Sequence, residues 1–426
     1  MTDDARRTGR RTWRLVLGMA AAAGLMAVLV SGASGATTGW NGESIVSLPA
    51  TGDGWEPAVA ADPSAPYVYV AWMQYKGAKV SINIRTSADG GTTFGTAKPI
   101  CASCVAGEYD VVLATTSAGT LYAVYMQGNN ISFTRSTDHG VTLSAPLTIS
   151  GGTWADKPWI ATSADGQNIY VSWTTRGNLV TVESHNGGVS FTAPQQITNE
   201  SAIYYYSNGA TVLPNGTAVI VGSEYPEKGN STKLTGPVPI VVFTSTDGGS
   251  TWTRTVADAT LNTGASFATS SVTTVASDAA GTLLLVYSGS TSVGANGKVF
   301  VRRSTDSGAT WGARTEMTTS AGGADATSVA AAGKASGQFV ITWMDNRGGG
   351  WNVWERESTN GGVSWTADAK VSDAATGAAY KTAAGFGLPY GDYDMVAINS
   401  AGKAVAVMGE GDSSQIHGDI WVNRKS

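Results

Sequence analysis

Short segments that combine carboxyl groups with aromatic rings recur along this chain. One set reads Gly54-Trp-Glu-Pro57, Gly107-Glu-Tyr-Asp110, Trp154-Ala-Asp-Lys-Pro158, Tyr204-Tyr-Tyr206, Ala324-Asp325 and Tyr390-Gly-Asp-Tyr-Asp394. A second set reads Tyr75-Lys76, Thr175-Arg176, Glu224-Tyr225, Asp345-Asn-Arg347 with Trp351, and Glu410-Gly-Asp412. Aromatic faces suit the C–H surfaces of sugar rings, and paired carboxyls can act as acid and base or as nucleophile. On that chemistry Asp156, Glu224, Tyr225, Asp392 and Arg347 are the catalytic candidates. Trp55, Glu56, Asp110, Tyr205, Arg176, Trp351 and Tyr393 are the candidates for ligand contact. The competing reading gives each carboxylate a structural role, bonding backbone N–H groups around a central channel. Asp392 and Asp394 could instead hold a cation such as Ca²⁺ through oxygen ligands; no other metal or cofactor is expected.

What must position these residues is a repeat. Six segments follow one pattern: Ser87-Ala-Asp89-Gly-Gly-Thr-Thr-Phe94, Ser136-Thr-Asp138-His-Gly-Val-Thr-Leu143, Ser184-His-Asn186-Gly-Gly-Val-Ser-Phe191, Ser245-Thr-Asp247-Gly-Gly-Ser-Thr-Trp252, Ser304-Thr-Asp306-Ser-Gly-Ala-Thr-Trp311 and Ser358-Thr-Asn360-Gly-Gly-Val-Ser-Trp365. They lie about 50 to 60 residues apart, the mark of stacked supersecondary units. The Asp or Asn side chain can accept bonds from backbone N–H groups just downstream, and the following glycine supplies a positive φ. Alternating residues precede each turn, as in Ile82-Asn-Ile-Arg85 and Val353-Trp-Glu-Arg356. Each copy is therefore a hairpin turn between two strands.

An independent signal agrees. Seven apolar runs occur, at Tyr67–Trp72, Leu121–Tyr125, Ile169–Trp173, Ala218–Val221, Leu283–Tyr287, Phe339–Trp343 and Val405–Met408. The seventh has a following strand at Asp419–Arg424 but no turn motif after it. Ser44-Ile-Val-Ser-Leu48 resembles the segments that follow the turns elsewhere. The expectation is an all-β chain of seven four-stranded antiparallel propeller blades, the N-terminal strand completing the last one. Six blades with a C-terminal appendage is the alternative.

Residues 1–36 read as a signal peptide, with Arg6, Arg7, Arg10, Arg11 and Arg14 ahead of the apolar Leu15–Val30. Sec export is favoured over the weak twin-arginine match at Arg10-Arg11, and an uncleaved membrane anchor is the alternative. Residues 37–426 then form a single secreted domain, not membrane-bound after cleavage. A net charge of −5 gives no basic stripe for nucleic acid, and a monomer is expected. Cys101 and Cys104 are the only cysteines; in an exported protein a local disulfide is the favoured reading, with free thiols the alternative.

The six motifs resemble the Asp-box (BNR) repeat of the sialidase superfamily, secreted or lysosomal propellers that act mainly on glycans. The resemblance spans nearly the whole mature chain, although its specific residues lie in the turns. It implies that Asp89, Asp138, Asp247 and Asp306 are structural and that chemistry belongs on the opposite face. It also implies three arginines on a substrate carboxylate, a tyrosine nucleophile activated by a glutamate, and an aspartate acid/base. Glu224-Tyr225, the Tyr204–Tyr206 run, and Asp156 or Asp392 could assemble such a set. The Arg-Ile-Pro sequence of that family does not occur here, and Arg176 and Arg347 are the arginines that fall on the ligand face. Two functions follow as expectations: a sialidase-like glycoside hydrolase, or a non-catalytic propeller that binds a glycan, polysaccharide or protein.

Overall fold

The computed structural model describes residues 37–152, 154–225, 237–261, 273–373, 393–410 and 418–426. The expected signal peptide and the candidates Asp392 and Asp412 lie outside them. Among the described residues no helix is long and apolar enough to cross a membrane.

Among the described residues twenty-eight strands make seven four-stranded antiparallel sheets, arranged as the blades of a propeller. Blades 1 to 6 open at Gly54, Glu108, Asp156, Tyr204, Thr273 and Ala326, each running outward in chain order. Blade 7 takes three strands from the C-terminus, Met395–Ile398, Ala404–Glu410 and Asp419–Arg424, and its outermost strand, Ser44–Ile45, from the N-terminus. Ser44 pairs with Val422 and Ile45 with Trp421. Ser47 Oγ donates to Asp419 Oδ1 at 2.8 Å and accepts from the Ile420 amide at 2.9 Å. The ring thus closes with seven blades, and the six-blade alternative falls.

The apolar runs became the second strand of every blade because that strand is covered on both faces by neighbouring blades. Val68, Tyr69, Val70, Ala71 and Trp72 are all buried, without the alternation of a half-exposed strand. The core is accordingly divided among the seams. One cluster joins blade 1 to blade 2 through Tyr69, Ile82, Leu113 and Tyr125, and another joins blade 7 to blade 1 through Val46, Val405, Val59 and Trp72.

All six hairpins lie between third and fourth strands, so topology places them on one rim. In the second, Ser136 donates to Asp138 Oδ1, which accepts the Thr142 amide, while Thr142 Oγ1 donates to Asp138 Oδ2. Where Asn replaces Asp the donor direction reverses: Asn186 Nδ2 donates to Ser190 Oγ and Asn360 Nδ2 to Ser364 Oγ. The closing residue staples the turn to the preceding blade, as when Phe191 meets Phe133 edge-on at 4.9 Å.

The motif glycine does more than permit a turn. Gly188 has φ +77°, and a Cβ there would fall 2.5 Å from Phe133 Cζ. Gly188→Ala therefore combines backbone strain with overpacking against a buried ring. The expected loss is about 2–4 kcal/mol, read as a lower urea midpoint at unchanged slope.

Cys101 and Cys104 form a disulfide, with Cα atoms 5.5 Å apart. Beside it Glu108 accepts the Ile82 amide at 2.8 Å, and burial pushes its carboxyl up to about 7. Because the folded group holds its proton above the pH at which the unfolded one ionises, its contribution to stability falls between about pH 4.5 and 7. Glu108→Gln keeps a neutral acceptor for Ile82 and should flatten that slope. The variant gains on the parent by up to about 3 kcal/mol as pH rises to neutrality, checked by urea unfolding at several pH values.

Candidate active site at the channel mouth

The rim opposite the hairpins is built by a device repeated in the innermost strands. Each of blades 1, 2, 3, 4 and 6 carries a break in register near the start of its first strand. In four of them the bulged residue is non-glycine with positive φ: Glu56 and Asp110 at 49°, Lys157 at 54° and Ser328 at 51°. Such conformations are uncommon outside glycine, and a bulge re-aims the side chain it carries. Glu56, Asp110 and Lys157 are the re-aimed charges of three successive blades.

They meet across the axis. Lys157 Nζ lies 3.4 Å from Asp110 Oδ1. Tyr393, arriving from blade 7, donates its hydroxyl to the same oxygen at 3.0 Å. Lys157 also sits 4.6 Å over the Tyr393 ring, and Trp159 of blade 3 meets that ring edge-on at 6.2 Å. Blades 7 and 3 are not neighbours, so these side chains can touch only over the channel. Burial raises the Asp110 carboxyl, but Lys157 and the bonds to Glu56, Asp156 and Tyr393 outweigh it and hold Asp110 below the usual carboxylate range. The group is an anion held in place.

Tyrosines wall this cluster. Tyr75 is pushed up to about 12 by burial and by Glu56, Tyr109, Asp110 and Asp53, which places its hydroxyl beside the acidic groups. On the other side Tyr204 and Tyr206 pack at 4.7 Å and Tyr225 meets Tyr206 edge-on at 5.2 Å. Burial, then the charge of Asp156, raises Tyr204. Trp154, two residues before Asp156, is 42% exposed at the edge of the mouth.

Several candidates fall elsewhere. Strand alternation sends Glu224 to the face opposite Tyr225, where Arg254 Nε donates to it at 2.7 Å. The Glu224-Tyr225 neighbour pair is therefore split, and Glu224 does not face the mouth cluster. Tyr205 faces the same way as Glu224 and is fully buried between blades 3 and 4. Trp55 is core as well, covering Tyr75 edge-on at 5.9 Å. Neither ring can stack on a ligand. Arg347 is locked within blade 6 by Asp345 and Asp368, stacked 3.9 Å over Trp354. Trp351 packs half-buried on the core between blades 6 and 7. Arg176 is exposed in the turn between the second and third strands of blade 3, with φ 49°. Tyr75, Tyr204 and Tyr206, expected on the ligand face, do line the mouth, and Lys157 and Trp159 join them there without having been candidates. Overlaying the entry segments as a column would have found Lys157, since Lys157-Pro158 stands where Glu56-Pro57 stands.

No three guanidinium groups converge among the described residues. Besides Arg254 and Arg347, Arg302 and Arg314 hold Asp258, Arg356 holds Asp368, and Arg85, Arg135 and Arg303 donate to backbone carbonyls. Clefts lined by Phe339, Thr359, Gly402 and Lys425, and by Arg303, Thr310 and Gly362, lie on the hairpin rim, away from these groups.

Fold and mouth together define a seven-bladed β-propeller with an acidic, tyrosine-walled axial opening. No known family profile and no curated protein sequence matches the chain. Among solved structures it is similar to an ulvan lyase of polysaccharide lyase family PL25, bound to -[GlcA(1-4)Rha3S]-, at 10% identity and TM-score 0.52, covering 88% of this chain and 94% of that one. A Dyadobacter fermentans protein of unknown function is 12% identical with TM-score 0.51, covering 90% and 97%. A Hadza microbial sialidase is 14% identical with TM-score 0.47, covering 82% and 73%. What the chain shares with the first two of these proteins is the fold.

Proposed function

We propose that the axial mouth binds a glycan, with Tyr393 and Asp110 as its reacting pair, and that the protein is a secreted glycan-processing enzyme. The hydrogen bond from the Tyr393 hydroxyl to Asp110 Oδ1, at 3.0 Å, carries this reading. A carboxylate held as an anion can take the phenol proton as the hydroxyl attacks or gives up charge. Lys157, against both the carboxylate and the ring face, favours the charged forms of both. Asp156 stands by the same cluster as a second carboxyl for acid/base work.

Charge narrows the ligand. Lys157 is already engaged by Asp110, and the carboxyls of Glu56 and Asp156 crowd the same group, so the cluster offers no uncommitted cation for a sugar carboxylate or sulfate. Neutral or amino-bearing sugars fit it, with Trp154 and the tyrosines as stacking faces. With no arginine cluster beside it among the described residues, the mouth argues against sialic acid as the substrate.

The alternative is a propeller that binds glycan without turning it over. It is favoured by how fully Asp110 is engaged, since a carboxylate bonded by Lys157 and Tyr393 also ties three blades together. A panel of neutral, amino-bearing and acidic polysaccharides, assayed in parallel for binding and for released reducing ends or unsaturated products, separates the two. Turnover of a neutral or amino glycan supports the enzyme; binding with no product establishes the second reading; preference for the acidic polymers overturns the charge argument.

A further inference from the structure

A second acidic group lies away from the mouth, at the seam where the ring closes. Glu43 leads into the closing strand, Asp373 follows the outer strand of blade 6, and Glu410 ends the second strand of blade 7. One carboxylate oxygen from each lies within 4.8 Å of the others. Glu43 is 4% exposed and Glu410 6%. Both Glu43 oxygens, Glu410 Oε1 and Asp373 Oδ2 are buried and accept no hydrogen bond.

That is a costly arrangement for side chains alone. Buried carboxylates elsewhere in the ring have donors: Asp345 takes Trp343 and Arg347, and Asp258 takes Tyr287 and Arg314. An unpaired buried carboxylate costs several kcal/mol, and facing carboxylates add repulsion. Lys370 acts on Glu410, but Glu43 faces the other two carboxyls.

We infer that Glu43, Asp373 and Glu410 are ligands of a calcium ion that pins the N-terminal segment into the seam between blades 6 and 7. Oxygens within 4.8 Å of one another fit a shared centre about 2.3–2.6 Å from each. A set made only of carboxylate oxygen suits a hard cation and not zinc or copper. Calcium accepts six to eight oxygens in irregular array, including bidentate carboxylates, whereas magnesium keeps a near-octahedral shell of several waters. Side chains this buried, delivered by three separate stretches of chain, match the first. The site is distinct from the Asp392–Asp394 pair. Asp392 lies outside the described residues, and Asp394 accepts the Gly409 amide at 3.3 Å.

The test uses the full chain, stripped with EGTA at pH 7.5 and titrated with CaCl₂ alone. Equilibrium dialysis should show one saturable ion per chain, with a melting temperature that rises until the site fills. MgCl₂ at the same concentration should give a smaller shift. Glu43→Gln and Glu410→Gln should each weaken calcium uptake at least tenfold, and Asp373→Asn, at a less buried position where folding is safest, should move it the same way. Absence of saturable uptake up to about 10 mM, tenfold beyond the weak end for such sites, overturns the assignment. So does uptake unchanged in Asp373→Asn and Glu43→Gln. A Glu43→Gln protein that melts higher than the parent in calcium-free buffer, with no uptake in either, shows carboxyls sharing protons and sinks it as well.

Discussion

Tyr393→Phe should lower kcat on a responsive glycan by about 10²–10⁴ while changing its binding affinity less than threefold. The substitution removes one oxygen and keeps the ring against Lys157 and Trp159. Loss confined to kcat would mark the hydroxyl as acting in the transition state, since a purely stacking tyrosine would be replaced by phenylalanine with little penalty. Asp110→Asn should match it in kcat and also steepen the pH dependence, because the amide cannot accept the phenol proton. Glu224→Gln is the contrast. That carboxylate bonds Arg254 on the other face of blade 4, so its loss should cost stability of about 1–3 kcal/mol and leave kcat within a factor of about two. Were Tyr393→Phe fully active and Glu224→Gln dead, the reacting pair would have been assigned to the wrong side of the blade.

Val46→Asp should destabilise the protein by about 4 kcal/mol or more, or prevent folding. Val46 is 1% exposed in the cluster that joins blade 7 to blade 1, packed with Val422, Ile420 and Val70. A carboxylate there has no partner and displaces apolar contacts. Without the closing strand, the Asp419–Arg424 strand also presents an open edge, a template for pairing with other chains. Val141→Asp is the control, since Val141 is 73% exposed on a hairpin and the change should stay within about 0.5 kcal/mol. Urea midpoints measure both, and size-exclusion chromatography reports self-association. Equal midpoints would mean that the N-terminal strand decorates the ring without closing it.

The architecture was readable because the repeat states it twice, in the Ser-x-Asp/Asn turns and in the doubly covered second strands. The N-terminal partner of the last blade was legible from two signs together: no turn motif follows Asp419–Arg424, and Ser44–Leu48 resembles the segments that follow the turns elsewhere. Side-chain direction was harder. Glu224 and Tyr225 look like a pair in sequence, but neighbours on a strand face opposite ways, and only the strand's position in the blade says which way is inward. Trp55 and Tyr205 have the composition of sugar platforms and the packing of core residues, a distinction that burial settles and residue type does not. Lys157 was overlooked for the converse reason: its role depends on a positive φ at a register break, which a lysine does not advertise. Arg347 was placed on the ligand face from its loop, while Asp368, far along the chain, holds it in the blade.

The contact between Ser47 and Asp419 joins positions 372 residues apart. During synthesis Ser44–Ile45 must wait, unpaired, until Trp421 and Val422 have emerged. The nascent protein is for most of that time an open arc with its two ends unmatched. Each blade can settle on the one before it as it appears, but the ring is completed in one late step. Any length of chain short of residue 419 lacks the partner for its own beginning, so truncated products should be recognisable to proteases as incomplete, whatever fraction of their blades is already formed.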